Sequence, residues 1–133
     1  MAGSHIRSFT SGRPWEDKYH KARGVAYGGF FETCLTSPSD PDGSIVAAGD
    51  LHGQTLRCYE IVLASLREAG FDIPDLVRVD VYLLDTKRWE EAARAHQIMI
   101  GKAARPAVSF LGLANFWHPD IEVEVAIKAY RPD

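Results

Sequence analysis

Two glutamates near the C-terminus of this 133-residue chain, Glu122 and Glu124, have the type and spacing for proton chemistry. They fall in residues 121–130, where Val123, Val125 and Ile127 alternate with Glu122, Glu124 and Lys128. That alternation reads as a strand, so both carboxylates point to one face about 7 Å apart. A carboxylate in a partly dry site has its pKa raised by desolvation and by a like charge beside it. Such a group can position water and move a proton near neutral pH. The same pattern also fits a solvated, charged strand face paired with Arg78 or Lys128.

Arg23 and Arg105 are candidates for holding a carboxylate, because a guanidinium fork matches its two oxygens; each also fits a plain surface charge. The histidines, His5, His20, His52, His96 and His118, form no HxxxH or HxH pair, and no acid lies at zincin spacing from one. No metal site is therefore expected. His118 lies in the Trp117-His118-Pro119-Asp120 stretch and fits either a pocket wall or an ordinary loop. Ser109 has no GxSxG context. Gly28-Gly29 precedes a strand rather than a helix, which excludes a phosphate loop. Cys34 and Cys58 have neither CxxC spacing nor the density of a disulfide framework, so both are expected as free, buried thiols.

The elements that must position these groups are readable from periodicity. Residues 21–27 and 30–36 read as a hairpin joined at Gly28-Gly29. The turn-rich run 37–43 follows, with a short strand expected at 44–47. Asp50 suits the N-cap of a helix that stops at Gly70, with Leu51, Thr55, Cys58, Val62, Ser65 and Ala69 at helical spacing. Residues 77–83 alternate as a half-buried strand. Asp85 or Thr86 caps a second helix, with Trp89, Ala92, Ala93, His96, Met99 and Ile100 facing inward. Arg105-Pro106 ends it, since a residue before proline is pushed toward extended backbone. Residues 107–113 form a strand, and 115–119 a loop ahead of the last strand. The order β-β-(β)-α-β-α-β-β predicts an α+β domain with two helices over one face of a mixed sheet.

The length suits one domain, residues 1–133, against about 150 for a typical domain. Hydrophobic residues make up 46% and charged residues 25%, which excludes disorder and a disulfide scaffold. No apolar run approaches the ~18 residues needed to span a bilayer, so no membrane partner is expected. Residues 1–5 lack the apolar stretch of a signal peptide and read as an expression remnant; a cytoplasmic protein is expected. The net charge of −3 argues against nucleic acid as a partner. One problem remains. The second sheet face is expected to carry Glu122, Glu124, Arg78 and Asp80 beside Val108 and Phe110, a mixture that is either solvated or buried against another subunit.

Three stretches resemble the Rid (YjgF-type) family, named for reactive intermediate deaminases. Thr10-Ser11-Gly12-Arg13-Pro14-Trp15-Glu16, with Tyr19 and Arg23 downstream, resembles the opening of a Trp-Glu subgroup. Asp40-Pro41-Asp42-Gly43, leading to Gly49-Asp50 and Gln54-Thr55, resembles its turn and first-helix start. Arg105-Pro106-Ala107 followed by Ile121-Glu122-Val123-Glu124 resembles its ending and is the most diagnostic.

The resemblance implies a chorismate-mutase-like fold, assembled as a homotrimer with clefts between subunits. It implies hydrolysis of an enamine or imine to a keto compound and ammonia, with a small-molecule substrate and no cofactor. In deaminating members an arginine after the Pro-Ala step grips the substrate carboxylate, and a glutamate of the final strand handles water. The glutamate position matches Glu122, with Glu124 as the second choice. The arginine position matches Val108, as the Trp-Glu subgroup generally lacks that arginine. Losing such a charge-assisted pair forfeits about 1.5–3 kcal/mol, so a different substrate is implied. Arg23 then serves as a replacement clamp, with Val108, Phe110 and Trp117 as an apolar wall. Lys21 stands where many members carry an aromatic residue, and Cys34-Leu35 where a Ser-Gly pair is common. Trp15 and Glu16 are expected to tie the N-terminal segment onto a neighbouring subunit. The competing readings are a non-catalytic ligand-binding or interaction trimer, a repurposed tailoring enzyme of specialised metabolism, and a ribonuclease or translation inhibitor, against which the acidic balance speaks.

Overall fold

The computed structural model describes residues 5–132. The chain runs β1 (Ile6–Phe9), α1 (Pro14–Lys18), β2 (Gly24–Tyr27), β3 (Phe30–Thr33), α2 (Leu51–Glu68), β4 (Leu76–Leu83), α3 (Trp89–Ile100), β5 (Ala107–Gly112) and β6 (Val123–Tyr130). The strands form one sheet in the order β1-β2-β3-β6-β4-β5. Only β4 and β5 run parallel; the other neighbours are antiparallel. This is the α+β arrangement that the periodicity predicts, with α2 and α3 on one face of a mixed sheet.

Local chemistry sets the helix ends. The Asp50 carboxylate accepts from Gly53 N at 2.9 Å, satisfying one of the free donors at the start of α2. Gly70, at φ +92°, turns the chain out of the helix. Asp85 caps a 3-10 turn, Thr86–Arg88, by accepting from Lys87 N at 3.0 Å, and α3 follows directly. The covered face buries Cys58, Tyr59, Val62 and Leu66 of α2 against Val79, Val81 and Leu83 of β4 and Val123, Val125 and Ile127 of β6. Each fully buried aliphatic side chain there contributes about 1.5–3 kcal/mol relative to exposure.

Several expectations need correction. The first hairpin strand starts later, at Gly24, the second ends earlier, at Thr33, and residues 44–47 make only a single bridge, Ser39 to Ile45. β1 and α1 are additions; each is too short to show a periodicity. On α3, Trp89 is exposed and Ala95 is buried in its stead. Trp89 packs instead on Phe110, ring centroids 5.7 Å apart. Cys58 is buried, and desolvation pushes its thiol pKa up. Cys34 is exposed, because it lies just past the end of β3.

The largest correction concerns Val108 and Phe110. They pair in register with Val79 and Val81, so they share the helix-covered face and pack against the core. Glu124 alternates with the inward-facing Val123 and Val125 and takes the other face. Alternation divides a strand into two sets of side chains, but only pairing with a central strand decides which set faces inward. The uncovered face is mixed in character. Tyr27, Phe30 and Tyr130 form an aromatic row with centroid spacings of 5.7 and 4.8 Å, and Lys128 Nζ lies 5.1 Å from the Phe30 ring.

Of the residues read as an expression remnant, Met1–Ser4 lie outside the described residues, and His5 is exposed. No helix among the described residues is long and apolar enough to cross a membrane.

Candidate active site

The candidate site begins with a break in the sheet. β3 pairs with β6 in steady register from Phe30–Tyr130 to Glu32–Lys128. Beyond that, Thr33 Oγ1 accepts from Ile127 N at 3.1 Å in place of a backbone carbonyl. Pairing resumes at Thr36–Val125, one residue out of step. The extra residue bulges the chain outward at Cys34-Leu35, as an interrupted ladder requires. The bridge at Thr36 then sets Ser37 beside Glu124. Ser37 Oγ donates to Glu124 Oε2 at 2.6 Å and accepts from Trp117 Nε1 at 2.9 Å.

These residues floor a cleft of about 470 Å³, walled by Trp15, Tyr19, Lys21, Arg23, Cys34 and Leu35. Trp15 and Trp117 meet edge to face at 5.5 Å. Glu124 is only 7% exposed. Burial raises its pKa above the usual carboxylate range, against smaller lowering effects from Ser37, Trp117, Arg23 and Lys21. A desolvated carboxyl of this kind can hold a proton and hand it over near neutral pH.

Arg23 is the strut behind the cleft. It is 4% exposed and pairs with the buried Glu16 at 3.0 Å. Its Nη1 also reaches Cys34 Sγ at 3.1 Å, Thr36 Oγ1 at 3.1 Å and Leu35 O at 3.3 Å. Glu16 accepts in addition from Ser11 N at 2.7 Å and Ser11 Oγ at 2.5 Å. Those hydrogen bonds and Arg23 lower the Glu16 pKa, overriding its burial. With its nitrogens so engaged, Arg23 lines the cleft as a positioning residue. Trp15 and Glu16 pack onto their own chain, through Trp117 and Arg23.

The structure thus brings Glu124, Trp117 and Arg23 together and sets the other anticipated residues elsewhere. Glu122 lies just before β6 and turns away, its Oε1 accepting from Arg88 Nη1 at 2.6 Å. Arg88 also forks onto Glu91 at 2.8 and 3.0 Å. Arg105 is exposed, ahead of β5. Val108 and Phe110 lie on the helix-covered face. Sequence reasoning passed over Ser37, which sits in a run that signals only turns. It also passed over the role of Gln54, which is 0% exposed. Gln54 Nε2 donates to Val46 O and Asp120 O at 3.1 and 2.7 Å, and its Oε1 accepts from Glu122 N at 2.8 Å. A glutamine on the inner face of an amphipathic helix was the available signal. Among the described residues no group of three or more His, Cys, Asp or Glu is placed to hold a metal ion.

This geometry has relatives. Residues 14–131 match the family described as Endoribonuclease L-PSP. A RutC family protein of Pyrococcus abyssi is 30% identical over 112 residues, covering 83% of this chain and 85% of its own length. An uncharacterized protein of Streptomyces coelicolor is 28% identical over 131 residues, covering 98% and 96%. The crystal structure of Rv2704 from Mycobacterium tuberculosis, described as a member of the YjgF/YER057c/UK114 family, superposes with a TM-score of 0.83 at 26% identity, over 95% of this chain and 99% of that one. The chain belongs to the Endoribonuclease L-PSP (YjgF/Rid) family, as the Arg105-Pro106-Ala107 and Ile121–Glu124 stretches indicate.

Proposed function

We propose that this protein is a small-molecule enzyme that hydrolyses an enamine or imine, with Glu124 as the proton-transferring group. The observation that supports this reading is a carboxyl with a raised pKa at the floor of an aromatic cleft. Protonated Glu124 gives its proton to the enamine carbon, leaving an iminium. The carboxylate then accepts a proton from the water that adds to the iminium carbon. The carbinolamine collapses with loss of ammonia, leaving a keto compound. One water is consumed per ammonia released, and neither an oxidant nor a cofactor is needed. Fold alone does not supply a substrate, so the reading rests on the site.

Glu122 supports a second reading. It stands at the position that the Rid resemblance gives to the water-handling glutamate. Its Oε2 is buried without a hydrogen-bond partner among the described residues, an arrangement that costs stability unless a ligand or water meets it. We also propose assembly as a homotrimer, which the aromatic row on the uncovered sheet face supports; larger apolar patches on such faces mark interaction sites. A ribonuclease reading, which the family description carries, is disfavoured by a net charge of −3, since nucleic-acid binding draws on basic surface charge.

The test is ammonia release from freshly generated imines and enamines by the wild type, Glu124→Gln and Glu122→Gln. Turnover lost in Glu124→Gln and kept in Glu122→Gln supports the first reading. The reverse moves the chemistry to Glu122. Turnover unchanged in both contradicts either assignment.

A further inference from the structure

We infer that a second cavity, between α2 and the segment ahead of α1, binds a small zwitterion whose carboxylate and ammonium stand several carbons apart, the carboxylate at Arg13 and the ammonium at Glu68. The inference does not rest on Glu124: neither Arg13 nor Glu68 lines that cleft.

Two unmet groups come together in this cavity of about 450 Å³. The first is Arg13, only 6% exposed and with no salt bridge among the described residues. Its bonds all go to neutral oxygens: Nε to Ser39 Oγ at 3.2 Å, Nη1 to Ser11 O at 2.9 Å and Nη2 to Ser39 O at 2.5 Å. Two of the five N–H groups of its guanidinium are left over. The carboxylates that act on it are spent elsewhere, Glu16 on Arg23 at 3.0 Å and Asp40 on Arg57 at 3.5 Å. Burial lowers the Arg13 pKa, and the cations Arg57 and Arg23 lower it further. An anion at this point answers a charge that is costly to bury alone. The second unmet group is Ser65 Oγ, which is buried and has no hydrogen-bond partner among the described residues. A serine inside a helix commonly bonds back to the carbonyl one turn earlier, and this one does not.

The far end of the cavity supplies the opposite charge. Glu68, in the last turn of α2, lines it, is exposed, and has no salt bridge among the described residues. Arg57 shares the Ser39 carbonyl with Arg13, at 3.0 Å, and so marks the other end. It lies three turns before Glu68, about 16 Å along the helix axis. Ile61 and Ala64 stand between them on the same helix face and line the same cavity, an apolar stretch suited to methylenes. Anion, short carbon chain and cation, in that order, describe an ω-amino acid.

The test is calorimetry on the full chain with 6-aminohexanoate, hexanoate and hexylamine. The exposed Glu68 contributes little and the buried Arg13 much, so hexanoate should bind about threefold more weakly than 6-aminohexanoate and hexylamine at least about tenfold more weakly. Arg13→Lys, which loses the planar fork, should remove most binding of both carboxylates. Glu68→Gln, at an exposed position where folding is not at stake, should erase only the advantage of 6-aminohexanoate over hexanoate. Ser65→Ala should weaken both carboxylates several-fold, which keeps the test decisive should Arg13→Lys not fold. Lys21→Met, in the Glu124 cleft, should bind like the wild type. Loss of binding in Lys21→Met places the ligand in that cleft and overturns the inference. Equal binding of the three probes, or full binding by both Glu68→Gln and Ser65→Ala, overturns it as well. So does a folded wild type that binds none of them below about 50 mM.

Discussion

Trp117 and Glu124 are held by the same hydroxyl: Ser37 Oγ accepts the indole N–H at 2.9 Å and donates to the Glu124 carboxylate at 2.6 Å. The residue that shapes the cleft wall and the residue proposed to move the proton therefore share one anchor. Ser37 is itself fixed by the Thr36–Val125 bridge, where the β3–β6 ladder resumes out of step. A bulge in the sheet, Cys34-Leu35, thus opens the cleft and sets Ser37 against Glu124.

Removing that anchor changes the pH dependence of the reaction. Ser37 lowers the Glu124 pKa while burial raises it, and burial is the larger effect. In the proposed mechanism Glu124 acts first as an acid, so kcat/KM should fall as pH rises through its raised pKa. Ser37→Ala should move that limb to still higher pH and lower the rate. A pH–rate profile of the two proteins checks both effects.

The buried Glu16–Arg23 pair holds the N-terminal segment to the strand that backs the cleft. Removing one partner leaves an uncompensated buried charge and should cost about 3–5 kcal/mol in Glu16→Ala. Urea denaturation measures the loss. Arg23→Leu combined with Glu16→Leu should be less destabilised than either single variant, because no charge is then left alone.

Gly24 presses its backbone against the core. A Cβ there would come within 2.5 Å of Phe31 Cζ, and Phe31 is fully buried. Gly24→Ala should destabilise by about 1–3 kcal/mol through overpacking, read as a lowered Tm.

His96 makes stability depend on pH. Its ring lies 2.5 Å from the Tyr59 hydroxyl between α2 and α3, and burial lowers its pKa below 6.5. A lowered histidine pKa means that the unfolded chain binds the proton first. The stabilising contribution is complete above the unfolded pKa and is lost as pH falls through it toward the folded value. Urea midpoints taken from about pH 7.5 down to about pH 5 should drop in the wild type, and the drop should be shallower in His96→Gln.

The residues differ in how openly they declared their roles. The helix from Asp50 to Gly70 was legible because cap, stripe and stop agree, and β4 and β6 because their alternation is unbroken. β1 and α1 are too short to carry a period. Alternation alone cannot choose between faces, so it places Val108 and Phe110 on the uncovered face, whereas pairing with Val79 and Val81 puts them on the covered one. Glu124 was recognised as a proton-transfer candidate from its strand. Its distinction from Glu122 depends on a partner 87 positions away, Ser37, and on Arg88 drawing Glu122 aside. Arg23 drew notice as a cation, but its engagement with Glu16 and the Cys34–Thr36 segment is a product of folding.

The most direct test of Glu124 as the proton-transferring group is ammonia release from fresh imines by the wild type beside Glu124→Gln, both shown to be folded. The expected result is turnover in the wild type and a fall of at least about a hundredfold in Glu124→Gln, the usual scale of a general acid–base contribution. Equal rates in the two proteins would contradict it.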